Sequence, residues 1–253
     1  MPQKIVTANW KMNLTLPEAN TLISEVTNIL KDEKRNSAEV IFAVPFVYVQ
    51  YFSNFLKGQP FAIAAQNCSE YEKGAYTGEI SAQMLASVGA TWVIVGHSER
   101  RLYYHETYRI VGEKIQRALE AGLKVIFCCG ETLEIRDKNE HFEFVKNQLE
   151  GSLAEITAEQ MKNIVIAYEP VWAIGTGKNA TPEQAQEMHA VIRNYLKQKF
   201  GSQIAQDTSI LYGGSVNAQN AKTLFACQDV DGGLVGGASL KSREFAEIVK
   251  SYN

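Results

Sequence analysis

The chain has 253 residues, of which 45% are hydrophobic and 21% charged, and a formal net charge of −3. That balance is ordinary for a globular protein, and without a basic run it gives no electrostatic case for nucleic acid. Cys68, Cys128, Cys129 and Cys227 are too sparse for a disulfide framework and have no zinc-type spacing, so they read as buried free thiols in a reducing compartment. Met1 to Val6 enters a strand directly, which leaves no room for a signal peptide, and the apolar runs are too short to span a membrane. The expectation is a cytoplasmic protein with no membrane contact.

Short apolar runs alternate with amphipathic stretches along the chain. The runs are Ile5 to Trp10, Val40 to Pro45, Phe61 to Ala65, Trp92 to Gly96, Val125 to Cys129, Ile164 to Glu169, Ser209 to Tyr212 and Gly233 to Gly236. Several are continuous rather than alternating in polarity, as strands buried on both faces should be. Between them, Thr15-Leu16-Pro17-Glu18 and Thr181-Pro182-Glu183-Gln184 each offer a Thr cap with Pro soon after it. Leu22, Val26, Ile29 and Leu30 form one helical stripe, and Val111, Ile115, Ala118 and Leu119 another. Repeated strand–helix units of this number predict a closed parallel (β/α)8 barrel, with an open doubly wound sheet as the competing arrangement. No linker or composition shift divides the chain, so one domain over 1–253 is expected.

In a parallel barrel the reactive groups gather at the C-terminal strand ends. The first run ends in Ala8-Asn9-Trp10-Lys11, where Lys11 places a cation suited to an anionic substrate or a developing oxyanion. Taken alone, such a Lys is more often a solvated surface residue, and Asn9 a turn-stabilising amide. The fourth ends in Gly96-His97-Ser98-Glu99-Arg100-Arg101, where His97 can act as a neutral donor near a helix N-terminus or serve only structure. Glu99 can orient polar neighbours or pair with the arginines.

Glu169 closes the sixth run and is followed by Pro170-Val171-Trp172-Ala173-Ile174-Gly175-Thr176-Gly177-Lys178. A carboxylate at the mouth of a buried strand beside a Gly-punctuated apolar loop reads as a base with a lid, because excluding water strengthens the base. The plain alternative is a strand and a surface turn. Tyr212-Gly213-Gly214-Ser215-Val216 and Leu234-Val235-Gly236-Gly237-Ala238-Ser239 follow the last two runs; their amides and the Ser215 hydroxyl can cradle a phosphate, or the glycines can be simple turns. Neither segment has dinucleotide-type spacing.

Together, Ala8 to Lys11, Gly96 to Arg101, Ala167 to Gly177, Tyr212 to Val216 and Gly236 to Lys241 resemble the triosephosphate isomerase family over essentially the whole chain. The resemblance implies a TIM barrel that interconverts dihydroxyacetone phosphate and D-glyceraldehyde 3-phosphate through an enediolate, in glycolysis and gluconeogenesis. It implies Glu169 as base, His97 as neutral electrophile, Lys11 as active-site cation and Asn9 as a holder of substrate oxygens. It implies Gly175, Ser215, Gly236 and Gly237 as the phosphate grip, loop 170–178 as a closing lid, and Ile174 and Leu234 pressing on the base. Glu99 matches a carboxylate beside this group. No metal or organic cofactor is implied.

Loop 66–79 resembles the family's segment that inserts into a second subunit, which implies a homodimer with Thr77 beside the partner's active site. Two segments depart from the family pattern. Leu102-Tyr103-Tyr104-His105-Glu106-Thr107-Tyr108 is atypical, and the second Cys of Cys128-Cys129 stands where an apolar residue is usual. The alternatives are a phosphate-binding barrel with a different substrate and a noncatalytic phosphometabolite-binding protein.

Overall fold

The continuous apolar runs close into a cylinder. The computed structural model describes residues 2–33, 38–174 and 179–252. Its strands are β1 (Ile5–Asn9), β2 (Glu39–Val44), β3 (Phe61–Ala65), β4 (Trp92–Val95), β5 (Lys124–Cys129), β6 (Ile164–Tyr168), β7 (Ile210–Tyr212) and β8 (Gly232–Val235). All eight are parallel and adjacent in chain order, and β8 returns to β1 with Ile5 opposite Gly232. The barrel is therefore closed, and the open-sheet alternative does not apply.

Burial on both faces explains the unbroken apolar runs. Ile5, Ile41, Ile94, Ile126, Cys128 and Leu211 fill the barrel interior. Their chain neighbours, such as Val6, Val40, Val93, Val125 and Ile210, pack outward against the helices. Cys128 and Cys129 divide between these two cores, as strand alternation requires. Three of the four thiols are buried and all are free, but Cys227 is only half-buried. It lies just beyond the helix Ala221–Phe225 between exposed neighbours, Ala226 and Gln228, so the apolar surroundings expected for it are incomplete.

The expected caps form. The Thr15 amide donates to Glu18 Oε2 at 2.7 Å ahead of the helix Leu16–Asp32. Thr181 accepts from the Gln184 amide at 3.2 Å ahead of the helix Pro182–Phe200. Leu22, Val26 and Leu30 of the first helix are buried, and so are Val111, Ile115 and Ala118 of the helix Tyr108–Glu120. Among the described residues no helix is long and apolar enough to cross a membrane.

Several runs overshoot the strands at their C-terminal ends. Trp10, Gly96 and Glu169 lie one residue past β1, β4 and β6. The chain is still tethered there, since Trp10 N–H reaches Ala43 O at 3.2 Å and Glu169 N–H reaches Cys129 O at 2.7 Å. Residues at these positions hold a fixed backbone but have left the layer of paired strands. That is where a side chain can face a cavity.

Candidate active site

A cavity of ≈ 460 Å³ opens at the C-terminal mouth of the barrel. Asn9, Lys11, His97, Glu169, Ser215, Gly236 and Gly237 all line it, together with Ile174 and Leu234. Residues far apart in sequence thus meet because they lie at or beyond the C-terminal ends of β1, β4, β6, β7 and β8 of one closed barrel. Gly175, expected in the phosphate grip, lies outside the described residues, as does the rest of the lid to Lys178.

Glu169 is 1% exposed, and its carboxylate is fully engaged. Oε2 accepts from the Ser98 amide at 2.9 Å, and Oε1 from the Ser98 hydroxyl at 3.0 Å. Oε1 also lies 3.0 Å from His97 Nε2. Burial acts against its charge and is the largest single influence, but His97 and the two Ser98 donors outweigh it and hold the carboxyl below its ordinary range. In this position Glu169 is a weak base. Leaving these partners while remaining dry would let burial act alone and raise its proton affinity.

Two glycines make room for this residue. A Cβ at Gly130 would stand 1.7 Å from the Glu169 carbonyl oxygen, so the chain after β5 approaches Glu169 as only glycine can. A Cβ at Gly213 would stand 2.9 Å from Glu169 Cγ and 3.1 Å from the Tyr168 carbonyl oxygen. Gly213 therefore belongs to the space in which the carboxylate sits.

His97 is the N-cap of the helix Ser98–Tyr103, and its Nδ1 accepts from the Glu99 amide at 3.2 Å. Burial disfavours its charged form, but the Glu169 and Glu99 carboxylates overcome that and draw its pKa above the ordinary value. Against this pull stands the Nδ1 bond. Protonating Nδ1 would set two donors face to face in a buried site, a loss of ~1–3 kcal/mol. The Glu99 amide selects the neutral ring with its hydrogen on Nε2, and Nε2 is the nitrogen that borders the cavity-side carboxylate.

Lys11 has a left-handed backbone, φ +53°, unusual for a residue with a side chain. Three contacts hold the segment: its amide donates to Asn9 Oδ1 at 3.1 Å, its carbonyl accepts from Gln66 Nε2 at 3.0 Å, and Gln66 also reaches Ala43 O. Nζ then pairs with Glu99 Oε1 at 2.6 Å. Glu99 thus orients its polar neighbours, Lys11 through its carboxylate and His97 through its amide, while the arginines bond elsewhere, Arg100 to Glu106 and Arg101 to the Gly96 and Cys128 carbonyls.

On the opposite side of the cavity, the Ser215 amide and hydroxyl donate to the Ala173 carbonyl at 3.2 and 2.7 Å. Ala173 ends the turn Val171–Ala173 that begins the lid segment. The root of that segment is fixed by Glu131, a buried carboxylate whose Oε1 accepts from Trp172 Nε1 at 2.8 Å and from Tyr168 Oη and Arg136 at 3.0 Å each. Ser98, Gln66 and Glu131 were not identified from sequence. Ser98 and Glu131 do follow β4 and β5 at the mouth, and that position was the available signal. Among the described residues no group of three or more His, Cys, Asp or Glu side chains gathers as a metal ion would need.

The family model described as triosephosphate isomerase matches residues 4–252. Full-length relatives of that name come from Cytophaga hutchinsonii, 51% identical over 252 residues, and Bacteroides fragilis, 51% over 253. Another, from Porphyromonas gingivalis, is 50% identical over 252 residues, and each of the three alignments spans 100% of both chains. Agreement of this depth over the whole length, on a barrel whose mouth carries a buried carboxylate, an imidazole and a lysine, leaves one conclusion: the chain belongs to the triosephosphate isomerase family.

Proposed function

We propose that Glu169 is the base, His97 the electrophile and Lys11 the cation of an isomerase that interconverts dihydroxyacetone phosphate and D-glyceraldehyde 3-phosphate. Support for these roles comes above all from the convergence of the three side chains on one cavity with Ser215, Gly236 and Gly237. The Glu169 carboxylate takes a proton from the carbon beside the carbonyl, and the bonding electrons become the enediolate double bond. The neutral Nε2–H of His97 bonds the carbonyl oxygen as charge develops on it, while Lys11 offsets oxyanion and phosphate charge. Returning the proton to the neighbouring carbon, while the hydroxyl proton passes from one substrate oxygen to the other, completes the isomerisation.

Asn9 holds Lys11 and the substrate oxygens, and the amides of Gly175, Gly236 and Gly237 join the Ser215 donors around the phosphate. The Ser215 amide and hydroxyl can each donate to phosphate only by giving up its bond to the Ala173 carbonyl. Phosphate binding is thereby coupled to movement of the lid root, and Ile174 and Leu234 are placed to exclude water from Glu169 once it leaves Ser98. A purified sample should convert dihydroxyacetone phosphate to the aldose in a coupled assay; an inert pure protein would refute the assignment.

Gly213→Ala should lower kcat by roughly 10- to 100-fold, because a Cβ there pushes the base out of line by a fraction of an ångström to an ångström. Circular dichroism and steady-state kinetics check this together. A folded variant with parental kcat would show that the crowding is harmless.

The chain is further proposed to act as one barrel domain and as a homodimer through loop 66–79. Residues 71–79 are exposed, and Tyr71 and Tyr76 stack at 3.9 Å, giving the loop a formed tip. Met12, Val47, Leu102, Tyr103 and Tyr104 are exposed too, and they follow β1, β2 and β4 on the same sector of the rim. An apolar rim of this kind is suited to a partner, and Thr77 of the inserted loop would then steady Asn9 and Lys11 across the interface. Sedimentation velocity should give the mass of two 28.2 kDa chains. A fully active monomer would contradict the dimer. Cytoplasmic residence agrees with four free thiols, and recovery of the enzyme outside the cytoplasmic fraction of its host would oppose it.

A further inference from the structure

The cavity extends outward past the phosphate grip to two oppositely charged side chains that the chemistry above does not use. Lys241 and Glu244 both line it, and Lys241 Nζ stands 3.3 Å from Glu244 Oε2. Lys241 follows the turn Gly237–Leu240, and its amide is tied back to the Ala238 carbonyl. Its backbone is therefore anchored beside the Gly236–Gly237 amides. The Lys241 side chain is 75% exposed, whereas that of Glu244 is 26% exposed. The ammonium is on a free stem and the carboxylate is the fixed member.

The charge of the site makes such a lysine significant. A phosphate dianion approaches a chain of net charge −3 and a cavity that also presents Glu169 and Glu244. Among the described residues, the lysines lining that cavity are Lys11, deep and already paired with Glu99 at 2.6 Å, and Lys241 at the mouth. An exposed ion pair is weak, so exchanging a monoanionic carboxylate for an incoming dianion is favourable at low ionic strength.

We propose that Lys241 is a capture residue for the phosphate of the substrate, leaving Glu244 to meet the dianion at the mouth and deliver it to the Gly236–Gly237 amides. It does not touch the reacting carbons, and it sets the rate of productive encounter. Glu244 restrains it and screens the mouth. This inference rests on the isomerase reading of the same site.

The test compares kcat/KM for the phosphorylated triose and for glyceraldehyde, which has no phosphate, at about 10 mM and about 300 mM ionic strength. At low ionic strength Lys241→Ala should lose roughly threefold to tenfold for the phosphorylated substrate and distinctly less for glyceraldehyde. The two losses should converge at high ionic strength. Lys241→Arg should keep the parental salt dependence, and Glu244→Gln should raise kcat/KM for the phosphorylated substrate at low salt. An equal loss for both substrates, or a loss independent of salt, overturns the proposal and leaves Lys241 a merely structural role. An inactive parent protein would overturn the isomerase reading and this inference with it, whereas an active parent with the flat response overturns only the role of Lys241.

Discussion

Glu169→Gln lowers kcat by roughly 10⁴-fold, the upper end of what a positioned general base supplies. The amide is nearly the same size and can still meet Ser98, so the loss reads the missing proton acceptor rather than a collapsed site. Glu169→Asp gives the complementary result. It keeps the charge but withdraws the carboxylate by about 1 Å, which costs roughly 100-fold in turnover while substrate binding persists. The surroundings make this sensitivity understandable. Gly130 and Gly213 leave space for the backbone and side chain of this residue, and the room they leave fits a glutamate. Steady-state assays of both variants decide the matter, and unchanged turnover in the Asp variant would remove Glu169 from the role of base.

Lys11→Ala lowers kcat/KM by roughly 10³-fold, combining loss of a fixed charge at the oxyanion with loss of a charge-assisted bond to phosphate. Stability should change far less. Glu99, left without its partner, is 40% exposed and can be solvated, so the deletion strands no deeply buried charge. The left-handed backbone at position 11 is imposed by Asn9 and Gln66 through main-chain atoms and survives the substitution. A thermal melt beside the kinetics separates these effects. A collapse of the melting temperature with little loss of kcat/KM would make Lys11 a structural residue instead of a functional one.

The barrel was legible in the sequence because its strands are buried on both faces, which writes them as continuous apolar runs. The eight runs fall on the eight strands, with end shifts of at most one residue. Lys11, His97 and Glu169 each stand at or just after the C-terminal end of such a run; singly each had a plain alternative, and it is their combination on one barrel that brings them to a common cavity. Ser98 was harder, since a serine at the start of a helix ordinarily caps or faces solvent, and only the closed barrel brings it to Glu169 from β6. Gln66 and Glu131 act through main chain and lid root, so their roles emerge only when distant strands are neighbours. Cys227 departed from expectation because burial of a thiol depends on what its turn packs against, which composition does not encode.

The chemistry that unites these assignments is transfer of one proton between adjacent carbons by Glu169. NMR of dihydroxyacetone phosphate with the pure protein in deuterated water tests it most directly. Proton transfer through Glu169 gives an aldehyde product in which part of the material carries deuterium at the carbon next to the new carbonyl, because the abstracted proton exchanges on the carboxylate. No aldehyde and no exchange, or an aldehyde wholly free of deuterium as a hydride shift would give, would contradict it.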